Sequence, residues 1–219
     1  IEYGGQTYDI SFAGRINGRK LTGEITSSLG TAEVSGEKRR FAPAGKQTPR
    51  IKKTPRKPDV IYVPTPEEVV DKMLEMAQVT KDDLLYDLGC GDGRIMVTAA
   101  KKYGCRAVGY ELHRGRVKKS LENVAKNNVG HMVTVEQKDI FTIDLSKADV
   151  ITLYLLPELN VRLIPQLEKL KPGSRIVSHD FDMRGVKPDK VVEMTIDDDW
   201  DQHTVYLWTT PLKKEKASD

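Results

Sequence analysis

A short apolar segment followed by a glycine-rich loop constrains the fold of this chain more than any other feature. The segment DLLYD is typical of a buried strand, and it runs into LGCGDGR, in which Gly89, Gly91 and Gly93 alternate. The pattern over 92–103 predicts a helix that ends at Gly104. A strand, a glycine loop and a helix in this order indicate an α/β sheet with a ligand site at the carboxyl end of the strand.

Strand and helix patterns alternate from Ile61 onward. After DLLYD, strands are predicted at RAVGYE, MVTVEQ, ADVITLYL and SRIVSHD, and helices over about 114–128 and 158–170. The segments KVVEMTI and HTVYLWT are predicted to form a terminal antiparallel pair. We therefore predict an α/β fold, a doubly wound, mostly parallel seven-stranded Rossmann-like sheet.

The region before this sheet has a different character. Residues 1–40 predict an antiparallel β meander with an Asn17-Gly18 hairpin, a small β segment that is part of a larger β domain or a flap. Residues 41–60 predict a proline-containing linker, residues 61–212 the α/β domain, and residues 213–219 a charged tail.

The linker region is strongly basic. Residues 38–57 contain nine Lys/Arg and no Asp/Glu, whereas the whole chain has a net charge of only +3, so the remainder is net acidic. A plain solvated linker is the first interpretation, and an anchor for nucleic acid, acidic lipid or an acidic protein face is the second.

Cysteine and histidine usage adds little chemistry. The two cysteines, Cys90 and Cys105, form no CxxC pair, and the four histidines (113, 131, 179 and 203) show no metal-ligand spacing. We therefore expect no metal site and no disulfide framework, and a reducing, cytoplasmic location.

No window approaches 18 apolar residues, so no transmembrane helix is predicted. The chain begins at Ile1 without methionine, which suggests a fragment or processed form.

Acidic side chains at the strand ends indicate the ligand. The loop spacing is GxGxG rather than GxGxxG, and Asp87 and Asp92 would repel a phosphate but suit an ammonium group. Glu111 ends the second strand, where an acid can bind both ribose hydroxyls. Asp139 follows the third strand and can accept a hydrogen bond from an adenine amino group, with Ile140 against the ring. An adenosine that carries an amino acid and no phosphate is S-adenosylmethionine.

These motifs resemble a known family. DLGCGDGR, GYE and KDI are similar to motifs of the class I, seven-stranded S-adenosylmethionine-dependent methyltransferases. YVPTPEEVVDKML, LYLLPELN, PGSRIVSHDF and HTVYLW resemble the subgroup that contains the archaeal broad-specificity and the mitochondrial protein lysine methyltransferases. The resemblance spans roughly residues 60–210 and leaves the β segment and the basic linker uncovered.

The resemblance implies a set of cofactor-binding residues. Tyr62 and Thr65 would close over the methionine end of the cofactor; Thr65 also has the sequence of a helix-capping residue, in the capping box Thr65-Pro66-Glu67-Glu68. The full implied set is Tyr62, Thr65, Asp87, Gly89, Cys90, Gly91, Asp92, Gly93, Glu111, Leu112, Asp139 and Ile140.

The main evidence on the methyl acceptor is a motif that the sequence lacks. LYLLPELN lacks the Asn/Asp-Pro-Pro-aromatic tetrapeptide of enzymes that methylate adenine or glutamine amides. With the subgroup resemblance, this favours a lysine side chain of a protein, and leaves RNA, a small molecule or a cofactor-sensing binding module as alternatives. Tyr154 and His179 are the weakly marked catalytic candidates, each with a packing role as the alternative. A hydrolase-like relay through Ser178, His179 and Asp180 is not expected, because strand neighbours point to opposite faces.

Overall fold

The computed structural model describes residues 2–3, 6–7, 10–17, 20–27, 30–37, 63–196 and 202–215. The chain divides into two compact units, residues 1–52 and 53–219. The predicted linker 41–60, the basic run 38–57, Tyr62 and the turn between the two terminal strands lie outside the described residues. The domain boundaries given above stay predictions.

The first unit consists of short antiparallel strands. They are β1 (Glu2–Tyr3), β2 (Gln6–Thr7), β3 (Ile10–Asn17), β4 (Lys20–Ser27) and β5 (Gly30–Glu37). Strands β1 and β2 pair with each other, while β3, β4 and β5 form a three-stranded meander. The predicted antiparallel β segment is therefore confirmed.

The second unit contains four helices and seven strands among its described residues. They are α1 (Glu67–Met76), β6 (Leu84–Leu88), α2 (Arg94–Tyr103), β7 (Arg106–Glu111), α3 (Arg114–Lys126), β8 (Val133–Gln137), β9 (Val150–Leu153), α4 (Pro157–Leu167), β10 (Arg175–His179), β11 (Lys190–Thr195) and β12 (Gln202–Thr209). The strand order is β11-β12-β10-β9-β6-β7-β8, parallel except at β12, which pairs antiparallel with both β10 and β11. This confirms the predicted doubly wound sheet.

Alternation along the strands separates two hydrophobic layers. On β6, Leu85 packs into the layer formed with α1, α2 and α3, whereas Tyr86 and Leu88 pack into the opposite layer with α4. Successive strand residues point to opposite faces, so an apolar run such as LLYDL fills both layers at once. Each fully buried apolar side chain stabilises the fold by roughly 1.5–3 kcal/mol.

The strand order determines where a ligand can bind. From the central strand β6 the chain moves outward to β7 and β8, and then returns to β9 on the other side of β6. The loops after β6 and β9 leave in opposite directions and open a crevice at the carboxyl ends of the strands.

None of the described helices combines the length and the hydrophobicity that a membrane-spanning helix needs.

The beginning of α1 differs from the predicted capping box. Pro66 occupies the N-cap position and no side chain caps the helix, which begins at Glu67. Thr65 lies one residue too early to cap, and its hydroxyl instead contacts Nδ1 of His179 at 3.2 Å. The capping interpretation of Thr65 was wrong, because Pro66 in an extended conformation takes its place.

Candidate functional site

A cavity of about 490 Å³ lies at the carboxyl ends of β6, β7, β8 and β9, within the range of small-molecule sites. Most of the residues predicted from the sequence line it, namely Thr65, Asp87, Gly89, Cys90, Asp92, Glu111, Leu112, Asp139, Ile140 and Tyr154. The structure therefore brings together side chains from five separate segments of the chain.

The glycine loop takes a path that only glycine follows without strain. Gly89 and Gly93 have φ of +85° and +81°, and Gly91 has φ of +56°. A Cβ at Gly93 would also meet Oγ of Ser120 at 2.3 Å, so the loop packs directly on α3. The N–H of Gly89 donates to the carbonyl of Tyr110 and so joins the loop to the end of β7.

Asp87 is the buried acid at the end of β6. The parallel register pairs it with Thr152 on β9, whose hydroxyl donates to Oδ1 at 2.8 Å. Among the described residues its second oxygen, Oδ2, has no hydrogen-bond partner. Burial raises the pKa of Asp87 to about 7, against the lowering effect of the Thr152 hydrogen bond. A buried carboxylate oxygen without a donor is suited to bind an ammonium group.

Glu111 ends β7 with both carboxylate oxygens oriented by backbone groups. Oε1 accepts from the N–H of His113 at 2.7 Å, and Oε2 accepts from the N–H of Gly91 at 3.2 Å. The guanidinium of Arg116 lies 3.9 Å from Oε1. Each carboxylate oxygen can accept more than one hydrogen bond, so this buried acid can still bind a pair of hydroxyl groups.

Asp92 forms an ion pair with its neighbour Arg94. Its carboxylate is bound by the guanidinium, with Nε to Oδ1 at 3.0 Å and Nη2 to Oδ2 at 2.7 Å. The same guanidinium donates to the carbonyl of Thr65 at 2.8 Å. Asp92 lines the cavity, and its pair with Arg94 fastens the loop to the segment before α1.

Asp139 begins a short 3-10 turn, Ile140–Thr142, after β8. Its Oδ1 accepts from the N–H of Phe141 at 3.0 Å, and both Asp139 and Ile140 line the cavity. The guanidinium of Arg162 lies 3.8 Å from the centre of the Phe141 ring and supports the turn from outside.

Aromatic rings form the other end of the cavity, which we call the acceptor end and define by Tyr154, Leu156, Leu159 and Phe181. The rings of Tyr154 and Phe181 are stacked, with centres 5.9 Å apart and planes 20° apart. Tyr154 also packs on His179, with ring centres 4.0 Å apart. His179 is fully buried behind Tyr154, one ring away from the cavity.

A cluster of His179, Asp180 and His203 lies behind this wall. Nε2 of His179 is 3.0 Å from Nδ1 of His203 and 3.1 Å from Oδ2 of Asp180. Burial lowers the pKa of His179 to about 4. The spacing of the histidines did not predict this pair. The expectation that His179 and Asp180 point to opposite faces was wrong, because β10 ends at His179 and Asp180 has a φ of +57°. The antiparallel register places His179 opposite Val205, so His203, two residues away, lies on the same face as a diagonal neighbour.

A family model described as the ANTKMT methyltransferase domain matches residues 87–190. A protein-lysine N-methyltransferase of Saccharolobus islandicus is 48% identical over 153 residues, which cover 69% of this chain and 94% of that protein. The chain belongs to the family of protein-lysine N-methyltransferases. It is a class I S-adenosylmethionine-dependent methyltransferase of the protein lysine methyltransferase subgroup, as its motifs indicated.

Two further relatives of this methyltransferase were found. The adenine nucleotide translocase lysine N-methyltransferase of Mus musculus is 29% identical over 154 residues, which cover 69% of this chain and 66% of that protein. A crystal structure of an RNA methyltransferase from Salinibacter ruber, in complex with S-adenosyl-L-homocysteine, has a TM-score of 0.63 and 46% identity, and covers 72% of this chain and 98% of that one. The predicted cofactor, S-adenosylmethionine, is thereby confirmed.

Sequence reasoning missed several residues of this methyltransferase's site. Arg94 and Phe181 line the cavity, Thr152 donates to Asp87, and His203 contacts His179 behind Tyr154. Arg94 directly follows Gly93, so the sequence placed it near the glycine loop, but the sequence did not predict that it pairs with Asp92. Thr152 and His203 reach the site only through strand pairing, which no local pattern reports.

Proposed function

We propose that this methyltransferase transfers the methyl group of S-adenosylmethionine to the side-chain amine of lysine in a protein substrate. The observation that carries the proposal is the acceptor end, where two stacked aromatic rings and two leucines line the cavity. A lysine side chain has a long apolar stem and a terminal amine, and this lining suits both parts. The identity with the Saccharolobus islandicus enzyme supports the same acceptor.

The surface around the cavity also supports a protein substrate. Val63 and Leu156 line the cavity and are among the large apolar side chains that stay exposed, at 56% and 42%. Exposed apolar side chains beside a site favour contact with another protein surface. These two side chains offer nothing to the phosphates of a nucleic acid, which are bound mainly by basic and polar groups; the basic side chains of the lining are Arg94, Arg116 and Lys138.

We assign the groups of the cofactor to the polar side chains described above. In this proposal Asp87 accepts from the amino acid ammonium through its Oδ2, and Glu111 binds the two ribose hydroxyls. Asp139 accepts from the adenine amino group, and Ile140 packs on the ring. The loop residues 89–93 and Leu112 enclose the cofactor, and Thr65 covers its methionine end. The same role for Tyr62, which lies outside the described residues, rests on the family resemblance alone.

Bound S-adenosylmethionine supplies a methyl group on a cationic sulfur, which is already activated for displacement. The protein therefore needs to align the amine and to let it lose its proton. The apolar walls of the acceptor end disfavour the charged ammonium form of the amine. Tyr154, whose hydroxyl lies 3.5 Å from Oδ2 of Asp180, would orient the neutral amine, with His179 holding the ring from behind.

Labelled cofactor tests the acceptor directly. The protein is incubated with methyl-labelled S-adenosylmethionine and a proteome extract, with and without ribonuclease or protease. We expect label in protein, recovered as methylated lysine after hydrolysis. Label that appears only in RNA or in small molecules would contradict the proposal.

Methylation of RNA is the second candidate. It is favoured by the Salinibacter ruber relative, which is described as an RNA methyltransferase, and by the basic run 38–57. Under this alternative the basic run binds RNA, and affinity falls steeply with salt because counterions are released from the phosphates. Titration of labelled RNA at several salt concentrations distinguishes the two candidates.

We also propose a cytoplasmic location for this methyltransferase, since both buried cysteines are free thiols.

A further inference from the structure

Three ligand atoms converge behind the acceptor end. Nε2 of His179 lies 3.0 Å from Nδ1 of His203 and 3.1 Å from Oδ2 of Asp180. The third side of this triangle, from Nδ1 of His203 to Oδ2 of Asp180, measures 3.4 Å. Both imidazoles are buried, and the carboxylate is partly exposed.

The size of the triangle matches the coordination shell of a transition metal. With metal–ligand bonds of about 2.0–2.1 Å, neighbouring ligand atoms are about 3.4 Å apart in a tetrahedral site and about 2.9 Å apart in an octahedral site. All three separations lie within that range. Two of the three contacts, His179 Nε2 to His203 Nδ1 and His203 Nδ1 to Asp180 Oδ2, are hydrogen bonds, so an ion held by these three atoms would replace the proton that the imidazoles share.

The surrounding hydrogen bonds orient the ligand atoms in the way that metal sites require. Nδ1 of His179 contacts the hydroxyl of Thr65 at 3.2 Å, and when that nitrogen donates, Nε2 is left with its lone pair. Oδ1 of Asp180 accepts from the N–H of Thr204 at 3.0 Å, which directs Oδ2 toward the imidazoles. Such supporting bonds are typical of metal-binding histidines and carboxylates.

Asp180 has a left-handed backbone conformation, with a φ of +57°. Asp and Asn adopt this region more readily than the other residues besides glycine. The N–H of Asp180 donates to the carbonyl of Thr204 at 2.7 Å, and this bond to the neighbouring strand maintains the conformation. The conformation brings the carboxylate to two buried imidazoles.

We propose that His179, Asp180 and His203 bind a divalent transition metal ion, with Zn²⁺ as the cation that two imidazoles and one carboxylate suit best. The three ligands occupy one side of the ion and leave at least one position for water or for a further oxygen. The hydroxyl of Tyr154 donates to Oδ2 of Asp180 at 3.5 Å, so it contacts one of the three proposed ligand atoms. A bound ion would hold His179, and with it the stacked Tyr154 ring, in a single orientation.

The experiment uses the untagged full chain, stripped of metal with a chelator and dialysed. Calorimetric titration with Zn²⁺ is expected to show one ion per chain. Titration with Co²⁺ is expected to give visible absorption bands of a nitrogen- and oxygen-ligated ion. His203→Ala should weaken Zn²⁺ binding by about 100-fold or more, and Asp180→Asn by about 10- to 100-fold. Asn tolerates the positive φ, so the second variant keeps the backbone.

His131→Ala is the matched control, because His131 is an exposed imidazole away from the cluster. It should leave Zn²⁺ affinity unchanged. Circular dichroism checks that each variant is folded, and His203→Gln replaces His203→Ala if the latter is not. The proposal is overturned if the wild type binds no stoichiometric ion, or if both cluster variants bind Zn²⁺ as the wild type does. S-adenosylhomocysteine binding in the same samples keeps this outcome separate from that of the proposed function.

Discussion

The two ends of the cavity are built in different ways. At the cofactor end, Asp87, Glu111 and Asp139 each follow or end a different strand, and those strands are consecutive along the chain. The acceptor end, Tyr154, Leu156, Leu159 and Phe181, comes from the segments after β9 and β10, and behind it lie His179 and, from the last strand, His203. Neighbouring parallel strands bring the polar groups of the cofactor end to one edge in sequence order, whereas the residues that support the acceptor end include one from the antiparallel strand β12. The comparison predicts that substitutions at the cofactor end change binding, and substitutions at the acceptor end change turnover.

The largest effect is expected for Glu111→Ala. The variant loses the charged acceptor for both ribose hydroxyls, and hydrogen bonds to charged groups are worth about 1.5–3 kcal/mol each. Affinity for S-adenosylhomocysteine, measured by calorimetry, should fall by about 100-fold or more. Glu122→Ala on the exposed face of α3 is the control and should bind like the wild type. Unchanged affinity in Glu111→Ala would remove Glu111 from the cofactor site.

Asp87→Asn should have opposite effects on binding and on stability. The folded-state pKa of about 7 is above the ordinary 3.8, so the free energy of unfolding falls as pH rises from about 4 toward 7. Above that range the buried charge lowers the free energy of unfolding by about 1–4 kcal/mol, and the Asp87→Asn variant avoids this loss because it has no charge there. Urea denaturation at pH 8 without cofactor should therefore show a more stable protein that binds S-adenosylhomocysteine weakly. Asp82→Asn, an exposed control, should change neither property.

The same carboxyl group makes cofactor binding depend on pH. The ammonium of S-adenosylhomocysteine stays charged between pH 6 and 8, while Asp87 ionises with a pKa of about 7. Only the carboxylate form binds the ammonium well, so affinity should be about tenfold weaker at pH 6 than at pH 8. Calorimetry in buffers of different ionisation enthalpy should detect proton release. A wild-type affinity that is flat over this range would refute the protonated state of Asp87.

The smallest effect is expected at the acceptor end. Tyr154→Phe keeps the stacked ring and removes the hydroxyl, which lies 3.5 Å from Oδ2 of Asp180. Loss of one hydrogen bond of about 1 kcal/mol should lower turnover by about three- to tenfold. Affinity for S-adenosylhomocysteine should stay within about twofold of the wild type. Tyr103→Phe, at the end of α2, is the control; a variant of Tyr154 that loses binding instead of turnover would break the comparison.

The amino-acid sequence by itself determined the strand and helix order, the glycine loop and the acids of the cofactor end. Each of these is a local property: hydrophobic periodicity gives the element, and the residue directly after a strand gives the site. Asp87, Glu111 and Asp139 could be identified because parallel strands end at one edge of the sheet.

Only the tertiary structure decided which groups pair inside the site. Asp87 meets Thr152, 65 positions along the chain, because β6 and β9 are neighbours in register. Asp92 is neutralised by Arg94, which a charge count cannot reveal. His179 and His203 become neighbours because β12 runs antiparallel beside β10. Strand order and register result from the packing of the whole sheet, and a one-residue shift of a strand would move its side chains, such as Thr152 or His203, to the other face.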